Sequence, residues 1–413
     1  SDARSSSPSL KEAFLRGLLE EGMYIVDAGL TTTPMHTFVV NRIGADGGAM
    51  ITASHNPAKF NGIKLVGPGG FPIAQGSGME EIANIAQRAI FPRKILRGSI
   101  KKENFLPAYL HFFKTKFSSL ASAQSCPLPP KKKCLLMFDT GNGMVGLVLR
   151  KLLEQFPIFQ FKILYEEMDM TFPHHEANPI KPENARDLQK AIQKNSAVLG
   201  AAFDGDGDRI GFVDEKGEII PGDFIIALLG QYFLQKNEQG GGVVFDGVRA
   251  SRVVREEIEQ AGGKAIEERV GHSFIKLAMR REHAIFGGEM SGHFYFKDFF
   301  NAESALFALL TVLDIMREQK QLLGELVKFL KRYAKSPELN IAISNREAAM
   351  DSLASHFSDA DISWVDGVKI NYPDWWVNAR PAANENLLRI NIEANTPELL
   401  EEKKKEIWTL LTS

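Results

Sequence analysis

The sequence predicts a multi-domain α/β protein, and three observations carry that prediction. Its 413 residues suffice for two to four domains with ample apolar core. A helix, a glycine or proline stop and then a strand recurs three times. Leu10 to Leu18 precedes Met23 to Val26, Leu147 to Gln155 precedes Phe159 to Tyr165, and Val253 to Gln260 precedes Lys264 to Arg269. The copies lie roughly 100–135 residues apart, about one domain each. Short apolar strands also run straight into polar loops at Ala49 to Ile51, Leu199 to Phe203 and Ile285 to Gly288.

Composition narrows the partners. Net charge is −2 and the isoelectric point is near 6.5, so no global basic field recruits nucleic acid or an anionic membrane. A small-molecule partner is the expectation. The two cysteines, Cys126 and Cys134, fit neither a disulfide framework nor a metal-site spacing, and a reducing cytoplasm is the natural reading. No apolar run reaches about 18 residues and no charged-then-apolar leader occurs, so neither a membrane span nor a secretory signal is expected.

Taken in order, Ser7-Pro8-Ser9 offers a cap and a first-turn proline, after which Leu10, Ala13, Phe14, Gly17 and Leu18 recur at helical spacing until Gly22. The strand Ala49 to Ile51 enters Thr52-Ala53-Ser54-His55-Asn56-Pro57, where Pro57 forbids simple continuation. A serine is a poor nucleophile unaided, and His55 and Lys64 are the base and cation that such chemistry needs. The same residues also make a good turn, so at this point both readings stand. Residues 118–133, rich in Ser, Pro and Lys, mark a domain boundary. Cys134 to Phe138 then reads as a buried strand entering a tight turn at Asp139-Thr140-Gly141-Asn142-Gly143, and His174 and His175 read as loop residues.

The strand Leu199 to Phe203 ends in Asp204, Asp206 and Asp208, spaced by glycines and followed by Arg209. Alternating glycines let three carboxylates face one point, where a hard cation stabilises them; magnesium is the expected occupant. A calcium EF-hand is the rival, since Asp204, Asp206, Asp208 and Glu215 fall at positions 1, 3, 5 and 12 of that pattern. Arg209 stands where the hand requires glycine, and a strand precedes the loop instead of a helix. Further on, Gly222-Asp223 opens a helix, Val243 to Asp246 is a strand, and Ile285 to Gly288 runs into Glu289-Met290-Ser291-Gly292-His293. If extended, Glu289 and Ser291 share a face and could grip adjacent hydroxyls of a ligand, and an edge strand with a solvated Glu is the other reading. A charged helix is expected over Leu322 to Tyr333. Arg380 then heads a turn before the strand Leu387 to Ile392, a fit for a phosphate clasp.

The stretch from Gly48 through Ser54-His55-Asn56-Pro57 to Lys64 closely resembles the phosphoserine loop of the α-D-phosphohexomutases, whose members include phosphoglucomutase and phosphomannomutase. The other three motifs follow in that family's order. The resemblance implies an architecture of four domains around a central cleft: three related α/β domains with mixed sheets and a smaller C-terminal α+β domain. Their implied bounds are 1–117, 131–222, 223–333 and 337–413. It also implies that an opening strand, absent here, precedes the segment Ser1-Asp2-Ala3-Arg4.

By the same resemblance, Ser54 would carry a phosphoryl group and, with Asp204, Asp206 and Asp208, hold Mg2+. Arg209 and Lys64 would neutralise the transferring group, and His55 would carry a proton. Arg249, His272, Glu289, Ser291, His293 and Arg380 would contact a hexose phosphate, with glucose 1,6-bisphosphate or mannose 1,6-bisphosphate as activator. The implied activity is the interconversion of hexose 6-phosphate and hexose 1-phosphate in the cytoplasm by a monomer or dimer. Met290 is similar to the phosphomannomutase/phosphoglucomutase branch, whereas phosphoglucosamine mutases usually have Gln there. The clasp departs from the family form Arg-x-Ser-Asn-Thr-Glu-Pro, with Ala382, Asn384 and Asn386 in place of serine, threonine and proline. A phosphoglucosamine mutase, or a phosphosugar-binding homologue with impaired catalysis, is the alternative.

Overall fold

A computed structural model describes residues 1–88, 97–123, 134–382 and 386–412. The chain divides into two compact units, one formed by 1–222 with 291–326 and the other by 223–290 with 327–413.

The first unit opens with the helix Ser7–Glu20, which ends before Gly22 at φ 78° and leads to the strand Tyr24–Asp27. Ser7 is buried, its hydroxyl donating to Asp2 instead of capping the helix. The strands Gly48–Ile51, Ile63–Val66 and Pro72–Ile73 form an antiparallel sheet that places Met50 opposite Lys64. A five-stranded sheet follows, with order Ile219–Ile220, Ile210–Val213, Leu199–Phe203, Leu135–Asp139, Gln160–Leu164. Its last three strands are parallel and its first two antiparallel, so the sheet is mixed. Every residue of Leu199–Phe203 is buried, as a central strand covered on both faces requires. The hairpin Phe294–Phe296 with Ala302–Glu303 and the buried helix Ala305–Gln319 complete this unit.

In the second unit, the strands Lys264–Glu267, Gly242–Phe245 and Phe286–Gly288 run parallel, with helices Arg252–Gln260 and His272–Arg281 in the connections. A separate antiparallel sheet includes Trp375–Pro381 and Leu387–Ala394 and packs Val377, Ile390 and Ile392 against the helices Arg346–His356 and Pro397–Thr412. This is the smaller α+β element that the resemblance implies.

Some expectations are corrected. The helix over Leu322 to Tyr333 is broken into Leu323–Val327, a 3₁₀ turn Lys328–Leu330 and the strand Ala334–Lys335. Arg332 and Tyr333 are drawn instead into ion and hydrogen bonding with Glu257 and Glu256. The helix over Leu147 to Gln155 is a 3₁₀ turn Met144–Leu147 and a short helix Leu149–Leu153. Gly146 lies so near Glu166 that a Cβ would sit 2.1 Å from its carbonyl oxygen, which ties this segment to a loop. Cys134 is in a disulfide, against the expectation; Cys126, the stretch 124–133 of the expected boundary and Asn384 lie outside the described residues. Among the described residues no helix is long and apolar enough to cross a membrane.

Candidate active site

The strand Gly48–Ile51 enters its loop against the helix Thr33–Arg42. A Cβ on Gly48 would lie 2.5 Å from Val40 and 2.7 Å from the His36 ring, so only glycine lets the strand approach. At the loop's head Ser54 has φ 51°, a left-handed conformation that serine adopts only under constraint. Its N–H donates to Thr52 Oγ1 at 3.0 Å. Its Oγ donates to Asp204 Oδ2 at 2.7 Å and lies 3.2 Å from His55 Nδ1. Burial, aided by the Arg209 cation, pushes the His55 imidazole down to about 4, so near neutral pH it is uncharged.

The second loop joins Leu199–Phe203 to its antiparallel neighbour Ile210–Val213, so a strand and not a helix leads into it, and the EF-hand reading falls with that. Asp204 Oδ1 caps the turn, accepting the N–H groups of Gly207, Asp208 and Arg209 at 3.0–3.1 Å. The carboxylates of Asp204, Asp206 and Asp208, all buried, bring ligand atoms within 4.8 Å of one another. Lys64 Nζ donates to Asp206 Oδ2 and Asp208 Oδ2, both at 2.7 Å. Thr33 Oγ1 donates to Asp206 Oδ2 at 2.5 Å.

Burial raises the Asp204 carboxyl well above its ordinary value, and the Asp208 and Asp206 charges raise it further. Burial also opposes ionisation of Asp208, but Lys64 and His293 together hold that carboxyl well below its ordinary value. Asp206 Oδ1 is buried without a hydrogen-bond partner. A hard, oxygen-seeking cation fits this donor set, since one positive ion would satisfy Asp206 Oδ1 and relieve the repulsion that Lys64 only partly offsets.

Arg209 joins this loop to the segment after residue 290. It pairs in a β-bridge with His293, its Nε lies 3.3 Å from His293 Nε2, and His293 Nδ1 lies 2.9 Å from Ser291 Oγ. His293 Nε2 is also 3.2 Å from Asp208 Oδ1. The first unit thus brings together Ser54, His55, Lys64, Asp204, Asp206, Asp208, Arg209, Ser291 and His293. Thr33 belongs to the same cluster, and the sequence reading missed it: a threonine beside a helix start reads as a cap.

Four expected residues lie in the second unit. Asp246, fully buried, accepts from the Arg249 guanidinium and from Met290 N–H. Burial and the neighbouring Glu289 charge raise its carboxyl to about 6 against the pull of Arg249. Glu289 accepts from Gly271 N–H at 3.0 Å, just before His272 opens its helix. Residues 290–292 turn, so Glu289 and Ser291 do not share one extended face; Gly292 at φ 85° makes the turn. Arg380 is 8% exposed, lies 3.4 Å from Glu338 and keeps a buried Nε without a hydrogen-bond partner. Burial, and then Arg249, lowers its pKa. That is the electrostatic condition an incoming anion would relieve.

Three family descriptions match the chain: phosphoglucomutase/phosphomannomutase α/β/α domain I over residues 1–93, domain II over 107–217 and domain III over 221–333. The chain is 34% identical over 422 residues to a phosphomannomutase of Vibrio cholerae, covering 99% of this chain and 88% of that one. It is 34% identical over 422 residues to the phosphomannomutase of Escherichia coli K12, covering 99% and 90%. A solved structure of a phosphoglucomutase/phosphomannomutase family protein from Burkholderia thailandensis superposes with a TM-score of 0.86 at 27% identity, covering 99% of this chain and 87% of that one.

Proposed function

We propose, from the premise that this chain belongs to the phosphoglucomutase/phosphomannomutase family of α-D-phosphohexomutases, that its interconversion of hexose phosphates runs through a phosphoryl group carried on Ser54. One observation carries the reading: Ser54 Oγ lies 2.7 Å from Asp204 Oδ2, at the edge of an acidic cluster that Lys64 already bridges.

The reaction class is phosphoryl transfer, in which positioning and charge stabilisation do most of the work. The phosphorylated Ser54 gives its phosphoryl to the free hydroxyl of a hexose monophosphate. The serine Oγ–phosphorus bond breaks, a phosphorus–sugar oxygen bond forms, and the hydroxyl proton passes to a base. The hexose 1,6-bisphosphate turns around and returns its other phosphoryl to Ser54. Ser54, Asp204, Asp206 and Asp208 would hold Mg2+, which when bound supplies positive charge against the phosphoryl oxygens. Lys64 and Arg209 add fixed positive charge on the same side. His55, held neutral beside Oγ, is the proton carrier we assign.

In the second unit, Glu289, Arg249 and His272 would contact the sugar, and Arg380 the phosphate that is not being transferred. In the first, Ser291 and His293 would do so beside Arg209. Met290 favours mannose or glucose phosphates over glucosamine phosphates. Glucose 1,6-bisphosphate would prime the serine. A cytoplasmic enzyme is part of this reading. Ala382 favours one second reading, a phosphosugar-binding homologue with impaired turnover, because the clasp there lacks a hydroxyl.

The test is peptide-mapped mass spectrometry after incubation with Mg2+ and glucose 1,6-bisphosphate. One phosphoryl group on Ser54 is expected, with turnover abolished in Ser54→Ala. Full mutase activity in Ser54→Ala would refute the mechanism, and a folded chain without phosphate on Ser54 would favour binding alone.

A further inference from the structure

Arg4, to which the sequence reading gave no role, is 1% exposed, so its guanidinium must find partners inside the protein. Nε donates to Asp2 Oδ2 at 3.1 Å. Nη1 donates to the carbonyls of Pro57 at 2.9 Å and Phe60 at 3.1 Å, and Nη2 to those of Ser54 and Asn56 at 2.7 Å each. All five N–H groups of the fork are used, four of them on the backbone of the loop that carries Ser54.

The clamp is itself anchored. Buried Asp2 accepts from Arg4 N–H and Ser7 Oγ, and its own N–H donates to Ile51 O at the end of the strand that enters the loop. On the metal-loop side the Ser54 carbonyl meets Gly205, where a Cβ would lie 2.4 Å from the oxygen. The Ser54 peptide is therefore gripped at its N–H by Thr52, at its oxygen by Arg4, and by contact with Gly205. Its left-handed φ is the conformation such constraint can impose.

We infer that Arg4 is a positioning residue for phosphoryl transfer, its guanidinium holding the Ser54 carbonyl and through it the backbone that aims Ser54 Oγ at the aspartate cluster. The inference rests on the reading that Ser54 carries the phosphoryl group. Lysine cannot take over the role, because one compact ammonium with three donors cannot span four carbonyls and a carboxylate.

The test uses the full chain with Mg2+ and three variants, Arg4→Lys, Arg4→Ala with and without guanidinium ion, and Asp2→Asn. The readouts are phosphoryl transfer from glucose 1,6-bisphosphate to Ser54, kcat and KM with glucose 1-phosphate, and amide hydrogen exchange over residues 52–61. In Arg4→Lys, kcat should fall about 100-fold, as expected when a reacting group is displaced by about 1 Å, while KM stays within about threefold. Exchange in the loop should quicken, and guanidinium ion should restore part of the Arg4→Ala turnover. If neither Arg4 variant folds, Asp2→Asn, which loosens the fork without emptying its place, decides by the same division between kcat and KM. A kcat within about threefold of the parent overturns the inference, as does a loss that only tracks unfolding and ignores guanidinium. A parent that takes no phosphate on Ser54 sinks the phosphoserine reading and this inference together, whereas a phosphorylated parent with an unimpaired Arg4→Lys variant sinks this inference alone.

Discussion

Lys64 is the cation that makes the acidic cluster tolerable within the protein itself. Burial opposes its charge, but Asp206 and Asp208 outweigh burial and hold its pKa above the ordinary value. Lys64→Met should lower stability by about 1–3 kcal/mol without divalent cation, the cost of stranding buried charged acceptors, and by less with Mg2+. Thermal unfolding with and without Mg2+ checks this; equal losses in both would refute it. His175 makes a pH prediction. Its bond to Asp139 Oδ2 raises the imidazole pKa above 6.5, although burial opposes the shift. A folded-state value above the unfolded one means stability that is fully present below pH 6.5 and lost as pH rises through the raised value. His175→Asn should therefore cost more in urea unfolding at about pH 5.5 than at about pH 9. A cost independent of pH would show that the pair contributes no charge-linked stability.

At the scale of elements, the metal hairpin and the serine loop touch through glycine. Gly205→Ala would push a methyl group against the Ser54 carbonyl, so kcat should fall about 100-fold with little change in KM. Steady-state kinetics with an unchanged kcat would show that the contact relaxes at no functional cost. The helix Leu106–Lys116 is held differently, by aromatic packing. Phe113, fully buried, meets Tyr109 edge-on at 5.0 Å and lies 6.3 Å from Phe299 and 6.4 Å from Phe307. Phe113→Ala should cost about 3–5 kcal/mol in denaturant unfolding, the range for an aromatic cavity that its neighbours cannot refill.

At the scale of the molecule, each unit has its own spectroscopic probe or ligand. The three aspartates lie in the first unit, and all four tryptophans, Trp364, Trp375, Trp376 and Trp408, lie in the second. Mg2+ at about 100 times its dissociation constant stabilises what binds it by about 2.7 kcal/mol. The far-UV circular dichroism transition should therefore move up with Mg2+ in the fraction due to the first unit, while the tryptophan fluorescence midpoint stays in place. Equal shifts in both signals would mean that the units unfold together.

Much of the chain's local structure was legible because short-range chemistry decides it. Gly22 and Gly262 stop their helices at positive φ, as the sequence implies, and the all-apolar run Leu199 to Phe203 is the buried strand it reads as. The spacing of Asp204, Asp206 and Asp208 foretold three oxygen donors at one point, since alternation and glycine are local properties. What only the tertiary structure decided is what long-range partners supply. The segment after Leu322 breaks its helix because Glu256 and Glu257 capture Arg332 and Tyr333, and no spacing within that segment announces it. Thr33 is absent from any motif reading for the same reason, and Arg4, though it stands in the segment Ser1-Asp2-Ala3-Arg4 that the resemblance takes in, has no role that its neighbours in sequence announce. Thr33 meets Asp206 across 173 positions of sequence and Arg4 meets the Ser54 loop across at least 50, so folding alone brings them there.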